Sequence, residues 1–359
     1  MDSLPHSLLV DVWFCILALM AACYVVSDGF DLGIGILSLL APDRATREVM
    51  IDTILHVRDA NETWLVVLGG GLFGAFPAAY AMLLPQLYVP VITMILGLIV
   101  RGAAVELRGT APEPGPQLPG LPDTQRRARW GRTTWDGLLG AGSLVAAVSQ
   151  GAILGRILTG MRPGTWHGLL VVAAMVGVTA GYALLGSTYL IGRAIGHDMA
   201  SKGLASVDRR ARRWTLCALL LAVSGALLLA GDLLWHRRET VQALPLLPLA
   251  LGAVALALAL YLAQVVASLR DVAQTGHAGA RRTPFVMAVL LFLVSLAALA
   301  SSVFPYIVPG HLTLAEAASE DRVLALMLAG VAVLLPIMIG YTLYRNLRSM
   351  ARPSAGRVT

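Results

Sequence analysis

The chain has 359 residues, 57% of them hydrophobic and only 13% charged, whereas a soluble domain carries about 25% charged residues. A mean hydropathy of +0.74 excludes an ordinary soluble globular domain and points to a polytopic membrane protein. The net charge of +6 is no nucleic-acid signal, because the basic residues sit in short loops between apolar runs.

Nine apolar runs follow in order: 8–40, 60–84, 86–108, 133–160, 166–193, 210–235, 245–269, 284–308 and 322–345. The first begins close to Met1 without a basic segment before it, and it outlasts the apolar core of a cleavable leader. It exceeds the roughly 20 residues a bilayer needs, so it is expected to tilt or to project beyond the membrane. Residues 109–132, Pro-rich and then basic, are expected to form an exposed loop. Pro77, Pro90, Pro305 and Pro336 can interrupt their helices. The expected fold is all-α and integral to the membrane, with nine transmembrane helices arranged as two four-helix bundles plus one peripheral helix. The first bundle takes residues 1–160, the second 161–308, and the ninth helix with its tail 309–359.

Lys and Arg set the orientation. With nine spans, 21 of the 27 basic residues fall on one side and five on the other, while Arg101 lies within a span. The positive-inside rule then puts the N-terminus outside and the C-terminus in the cytoplasm. Trp13, Trp166 and Trp235 fall at outer ends, and Trp130, Trp135 and Trp214 at inner ends, as in an aromatic belt; Trp64 lies deeper.

In that topology a set of ionisable residues gathers toward the inner side: Asp28, Asp31, Asp59, Glu62, Arg101, Glu106 and Asp136. Asp28 and Asp31 are three apart and share a helix face. Arg101 is the cation available to offset one of the carboxylates. One reading is structural, with Asp59 and Asp136 capping helix N-termini and another acid pairing Arg101. The other is a cytoplasm-facing proton path, which Asp28, Asp31 and Glu106 favour because long apolar runs flank them. Asp11 and Asp232 stand at outer ends and read as interfacial.

All seven histidines lie in loops or at span ends, so the chain offers no mid-membrane imidazole for a haem. Met94, Met175, Met287 and Met338 read as packing residues. Cys15, Cys23 and Cys217 lie in apolar runs without a CxxC pair and read as small buried hydrophobes. No metal site is expected. The glycines of 29–35 and Gly69-Gly70-Gly71 read as close helix packing. Tyr24 to Gly33 is faintly echoed by Tyr182 to Gly192, which fits two related four-helix units.

The stretch SDGFDLGIGIL at 27–37 resembles the N-terminal signature of subunit II of cytochrome bd-type quinol oxidases. The likeness continues through DANETWLVVLGGGLFGAFPAAYA (59–81), Arg101…Glu106, TTWDGLLGAGS (133–143), QGAILG (150–155), GSTYL (186–190), FPYIVP (304–309) and LTLAEAAS (312–319). Asn61-Glu62-Thr63-Trp64 and Gln150-Gly151 lean toward the cyanide-insensitive branch. The resemblance implies a bacterial inner-membrane complex that oxidises quinol and reduces oxygen. Haem b and haem d are expected on a partner, subunit I, with which this chain forms a heterodimer. Membrane quinol, lipid and small accessory subunits are further partners the resemblance raises, and it leaves a structural quinone here open. It also implies that Asp28, Asp59 and Glu106 deliver protons from the cytoplasm, in a set with Asp31 and Glu62, with Arg101 and Asp136 as supporting charges. No residue of this chain is expected to be catalytic by itself. The rival reading is a proton-coupled secondary transporter, which intramembrane carboxylates and glycine-rich helices serve equally well.

Overall fold

The computed structural model describes residues 5–54, 63–110, 124–193, 202–236, 246–269 and 278–351. They form α1 (His6–Leu39), α2 (Arg44–Asp52), α3 (Thr63–Ala75), α4 (Pro77–Gln86), α5 (Tyr88–Thr110), α6 (Thr124–Leu158), α7 (Thr165–Arg193), α8 (Lys202–His236), α9 (Leu246–Ser268) and α10 (Ala278–Val303). A small hairpin of β1 (Tyr306–Val308) and β2 (Leu312–Thr313), the single turn α11 (Leu314–Ala317) and the long α12 (Asp321–Ala351) follow. Among the described residues, eight helices are long and apolar enough to cross a membrane, and the apolar α3 is shorter.

The second expected span, 60–84, is two helices rather than one. Pro77 has no N–H to continue the ladder, so α3 ends at Ala75 and α4 restarts with Pro77 in its first turn. The carbonyls orphaned at this break are satisfied from the other end of the chain. The Ser319 hydroxyl donates to the Gly74 carbonyl at 2.7 Å, and the Ser319 N–H donates to that of Ala75 at 2.9 Å. Pro336 stays inside α12 without ending it, and Pro90 falls in the first turn of α5. The basic end of the expected 109–132 loop is helical, since α6 already begins at Thr124. Gln125, Arg126, Arg127 and Ala128 are good helix formers with no proline between Pro122 and the apolar run, and they extend the helix ahead of that run.

Helix α1 is the axis of the fold. Every residue from Ser27 to Ser38 is buried, and α6, α7, α3, α10 and α12 all pack against α1 along its length. A helix surrounded in this way needs small residues where its neighbours cross. A Cβ on Gly33 would stand 1.8 Å from the Tyr182 carbonyl oxygen, and one on Gly186 would stand 2.6 Å from the Gly33 carbonyl carbon. The α1–α7 crossing therefore runs backbone against backbone. The crossing of α5 with α6 is made the same way at Gly97 and Gly142.

The aromatic belt holds only in part. Trp166, exposed, donates to Asp232 at 2.8 Å, as an interfacial pair would. Trp13 instead is fully buried and donates its indole N–H to the Leu324 carbonyl at 3.0 Å, tying α1 to α12. Trp64 is also buried and donates to the Thr342 hydroxyl at 3.2 Å.

Candidate functional site

Two arginines on α5, seven residues apart, project from its buried face. Seven residues are two helical turns, about 10 Å, so Arg101 and Arg108 stand one above the other. The glycine crossing at Gly97 and Gly142 lets α5 lie close enough for them to reach acids on α1, α2 and α6.

Arg101 is 1% exposed and donates from Nη2 to Asp28 Oδ1 at 2.9 Å, with Asp31 Oδ2 at 4.0 Å. Asp28 and Asp31 are wholly buried. Two carboxylates thus share one guanidinium. Asp28 Oδ2 has no hydrogen-bond partner.

One helical turn from Asp28 toward the N-terminus of α1, Tyr24 meets α6 and α7. The Gln150 amide donates to the Tyr24 hydroxyl at 2.7 Å, and the Tyr182 hydroxyl donates to Gln150 Oε1. Tyr24 and Tyr182, the two ends of the sequence echo, therefore meet on one glutamine.

Toward the other end, Arg108 donates from Nε to Asp136 Oδ1 at 2.6 Å and from Nη1 to Asp52 Oδ1 at 3.1 Å. Asp136 is not a cap. It lies well inside α6, where its helix already supplies the backbone bonds, and its carboxylate is spent on Arg108.

Sequence reasoning thus placed Asp28, Asp31 and Arg101 together and they meet; Asp136 is buried two turns of α5 away. Glu106 does not join them. It is exposed on the opposite face of α5, two residues from Arg108 and so about 200° round the helix. Asp59 and Glu62 lie outside the described residues. Gln150, Tyr182, Arg108 and Asp52 were not read as site residues. Half-buried Gln150 left a signal, as a polar side chain inside an apolar run; Arg108 was hidden among the loop cations.

A family model described as cytochrome bd terminal oxidase subunit II matches residues 9–120 and 122–346. The chain belongs to the cytochrome bd terminal oxidase subunit II family. Among relatives of this subunit II, cytochrome bd ubiquinol oxidase subunit 2 of Bacillus subtilis (strain 168) is 32% identical over 152 residues, 42% of this chain and 40% of that protein. Cytochrome bd-I ubiquinol oxidase subunit 2 of Escherichia coli (strain K12) is 29% identical over 159 residues, 44% of this chain and 38% of the other. The chain spans about two fifths of the length of these curated relatives. The structure of bd oxidase from Geobacillus thermodenitrificans contains a chain similar in fold, with a TM-score of 0.69 and 17% identity, covering 96% of this chain and 99% of that one.

Haem belongs to this family's complexes, and histidine is its commonest protein ligand. Among the described residues His6 pairs with Asp321 at the start of α1, His167 stands in the first turn of α7, His236 is the last residue of α8, and His311 lies in the hairpin against the Gly160 carbonyl. No group of three or more His, Cys, Asp or Glu is arranged to hold a metal among the described residues. These donors do not fit a haem buried at mid-membrane.

Proposed function

We propose that this chain is the haem-free second subunit of a respiratory quinol:oxygen oxidoreductase, pairing with a haem-bearing subunit I and lining proton uptake from the cytoplasm. The observation that carries it is the buried Asp28–Asp31–Arg101 group, two carboxylates beside one guanidinium inside a bundle of apolar helices. Family membership supplies the reaction. Reducing oxygen consumes protons at a buried centre. Taking them from the cytoplasm, while quinol releases its own outside, separates charge without a pump.

The proton set in this reading is Asp28, Asp31, Asp59, Glu62 and Glu106, the last standing on the exposed face of α5 apart from the buried pair, with Arg101 and Asp136 as supporting charges. Haem b and haem d sit on the partner, where they supply the electron transfer to oxygen. The broken α3–α4 counts as one span, giving nine, with residues 1–160 and 161–308 as two four-helix bundles and 309–359 as the peripheral ninth helix and tail. The N-terminus faces outside and the C-terminus the cytoplasm, in a bacterial inner membrane, because that orientation puts the basic loops inside.

A proton-coupled transporter is the second reading, and the break at Phe76–Pro77 is the feature in its favour. It is disfavoured because α8 and α9, in the other half, run unbroken, and because Ser319 takes up the carbonyls that an ion would need at the break.

The deciding experiment is a reduced-minus-oxidised visible spectrum of the purified chain, with and without the large subunit co-expressed. Haem bands only with the partner, and slowed proton uptake in an assembled Asp28→Asn complex, are the expected results. Haem bands in the chain alone would overturn the assignment.

A further inference from the structure

A second arginine centre joins Arg108 of α5 to Asp136 of α6 and Asp52 of α2. Arg108 and Asp136 are more than nine-tenths buried, and each keeps one polar atom without a hydrogen-bond partner, Arg108 Nη2 and Asp136 Oδ2. Asp52, on α2, is the outer member, with its side chain 59% exposed. The group therefore runs from solvent to a fully enclosed carboxylate in two hydrogen bonds through one guanidinium.

It also lies in line with the first centre. Asp136, Ser143 and Gln150 are spaced by seven on α6 and share one face, spanning about 21 Å along the helix. Asp136 meets Arg108. Ser143, fully buried, lies against Gly35, one turn of α1 from Asp31. Gln150 meets Tyr24, one turn from Asp28 on the other side. Polar side chains thus recur about every 10 Å along one face of α6, from Asp136, which Arg108 ties to the exposed Asp52 of α2, to Gln150, which meets Tyr182 of α7. Glu106 points away from this column.

The geometry points to Asp52, Arg108 and Asp136 as the proton inlet of this subunit, with Asp136 not a fixed supporting charge but a proton-carrying group that feeds Asp31 and Asp28 past Ser143. Asp52 collects a proton from bulk water, water beside the Arg108 guanidinium hands it to Asp136, and Asp136 releases it through water at Ser143 to the Asp31–Asp28 pair. Each transfer returns the donor to its carboxylate form, so charge and protons balance once oxygen reduction consumes the proton. Arg108 stays cationic throughout and holds the two carboxylates in register.

This inference rests on the proton-path reading of Asp28 and Asp31, and the test separates the two. The assembled two-subunit complex is reconstituted in liposomes, and proton uptake during oxygen reduction is followed with a pH-sensitive dye and normalised to haem. Asp136→Asn is expected to slow uptake about tenfold or more, the scale of losing a positioned acid–base group. Asp136→Glu is expected to restore it, as is formate added to the Asp136→Asn complex, because a small weak acid replaces a missing proton carrier but does not mend a structural clamp. Normal uptake in Asp136→Asn with slow uptake in Asp28→Asn overturns the inlet and leaves the path standing. A loss in Asp136→Asn that formate does not relieve overturns it too, in favour of a clamp. Normal uptake in Asp28→Asn removes the path and the inlet together. Should Asp136→Asn fail to assemble, Asp52→Asn at the exposed end decides: severalfold slower, formate-sensitive uptake supports the inlet, and an unchanged rate overturns it.

Discussion

Arg101 donates to Asp28 across 2.9 Å in a place where neither side chain reaches solvent. Removing one partner of such a pair leaves an uncompensated buried charge, at a cost of about 3–5 kcal/mol. Arg101→Leu is therefore expected to lower the thermal midpoint of the detergent-solubilised protein sharply or to abolish assembly. Adding Asp28→Asn to Arg101→Leu is expected to recover part of the loss, since one carboxylate charge goes with the arginine. Equal midpoints for the single and double variants would show that the two side chains are not energetically coupled.

The α1–α7 crossing makes a second prediction. A methyl on Gly33 meets the Tyr182 carbonyl at 1.8 Å, a backbone atom that can retreat only if the helices part. Gly33→Ala is expected to destabilise by at least the 1–3 kcal/mol of an overpacked core. It should also disturb the Gln150 bridge between Tyr24 and Tyr182. Gly69→Ala, where a Cβ meets nothing within 4 Å, is the control and is expected to leave the thermal midpoint of the subunit unchanged. A similar midpoint for both variants would contradict the packing.

The break after α3 rests on Ser319. Ser319→Ala removes the hydroxyl that satisfies the Gly74 carbonyl but keeps the backbone bond to Ala75. The expected cost is about 1 kcal/mol, with limited proteolysis after residue 303 faster than in the parent chain. No change in cleavage or midpoint would mean that the carbonyl finds another donor.

Asp43 supplies the pH dependence. The Thr46 N–H and hydroxyl both donate to its carboxylate, at 2.7 and 3.1 Å, and they hold the group below the usual carboxylate range. A lowered folded value means the stabilisation is fully present above the ordinary Asp value of about 3.9 and fades as the pH falls through the folded one. Amide hydrogen exchange in α2 should therefore rise below about pH 4, beyond the intrinsic pH dependence, and Asp43→Ala should be less protected at neutral pH and lack that acid step.

The apolar runs, the acids inside them and the family signature were readable along the chain, because a span's length and the cost of a buried charge are local quantities. The long helices lie where the runs are, and Arg101 does offset Asp28 as its sign requires. Periodicity could not reveal that 60–84 is interrupted, since Pro is tolerated in many spans: Pro336 leaves α12 whole, whereas Pro77 ends a helix because Ser319 arrives to cover the freed carbonyls. Nor could it reveal that Trp13 is a core residue, because its partner is the Leu324 carbonyl, 311 positions away.

Sequence by itself determined that this is a membrane-embedded, helical chain of the bd oxidase subunit II family with carboxylates gathered near one arginine. Tertiary structure alone decided which charges act together. Arg108 and Glu106 are two residues apart, yet one closes on Asp136 and Asp52 while the other faces away. A helix turns 200° in two residues. Only the glycine crossings at Gly97–Gly142 and Gly33–Gly186, which fix how α5, α6, α1 and α7 sit against one another, choose the face that becomes the site.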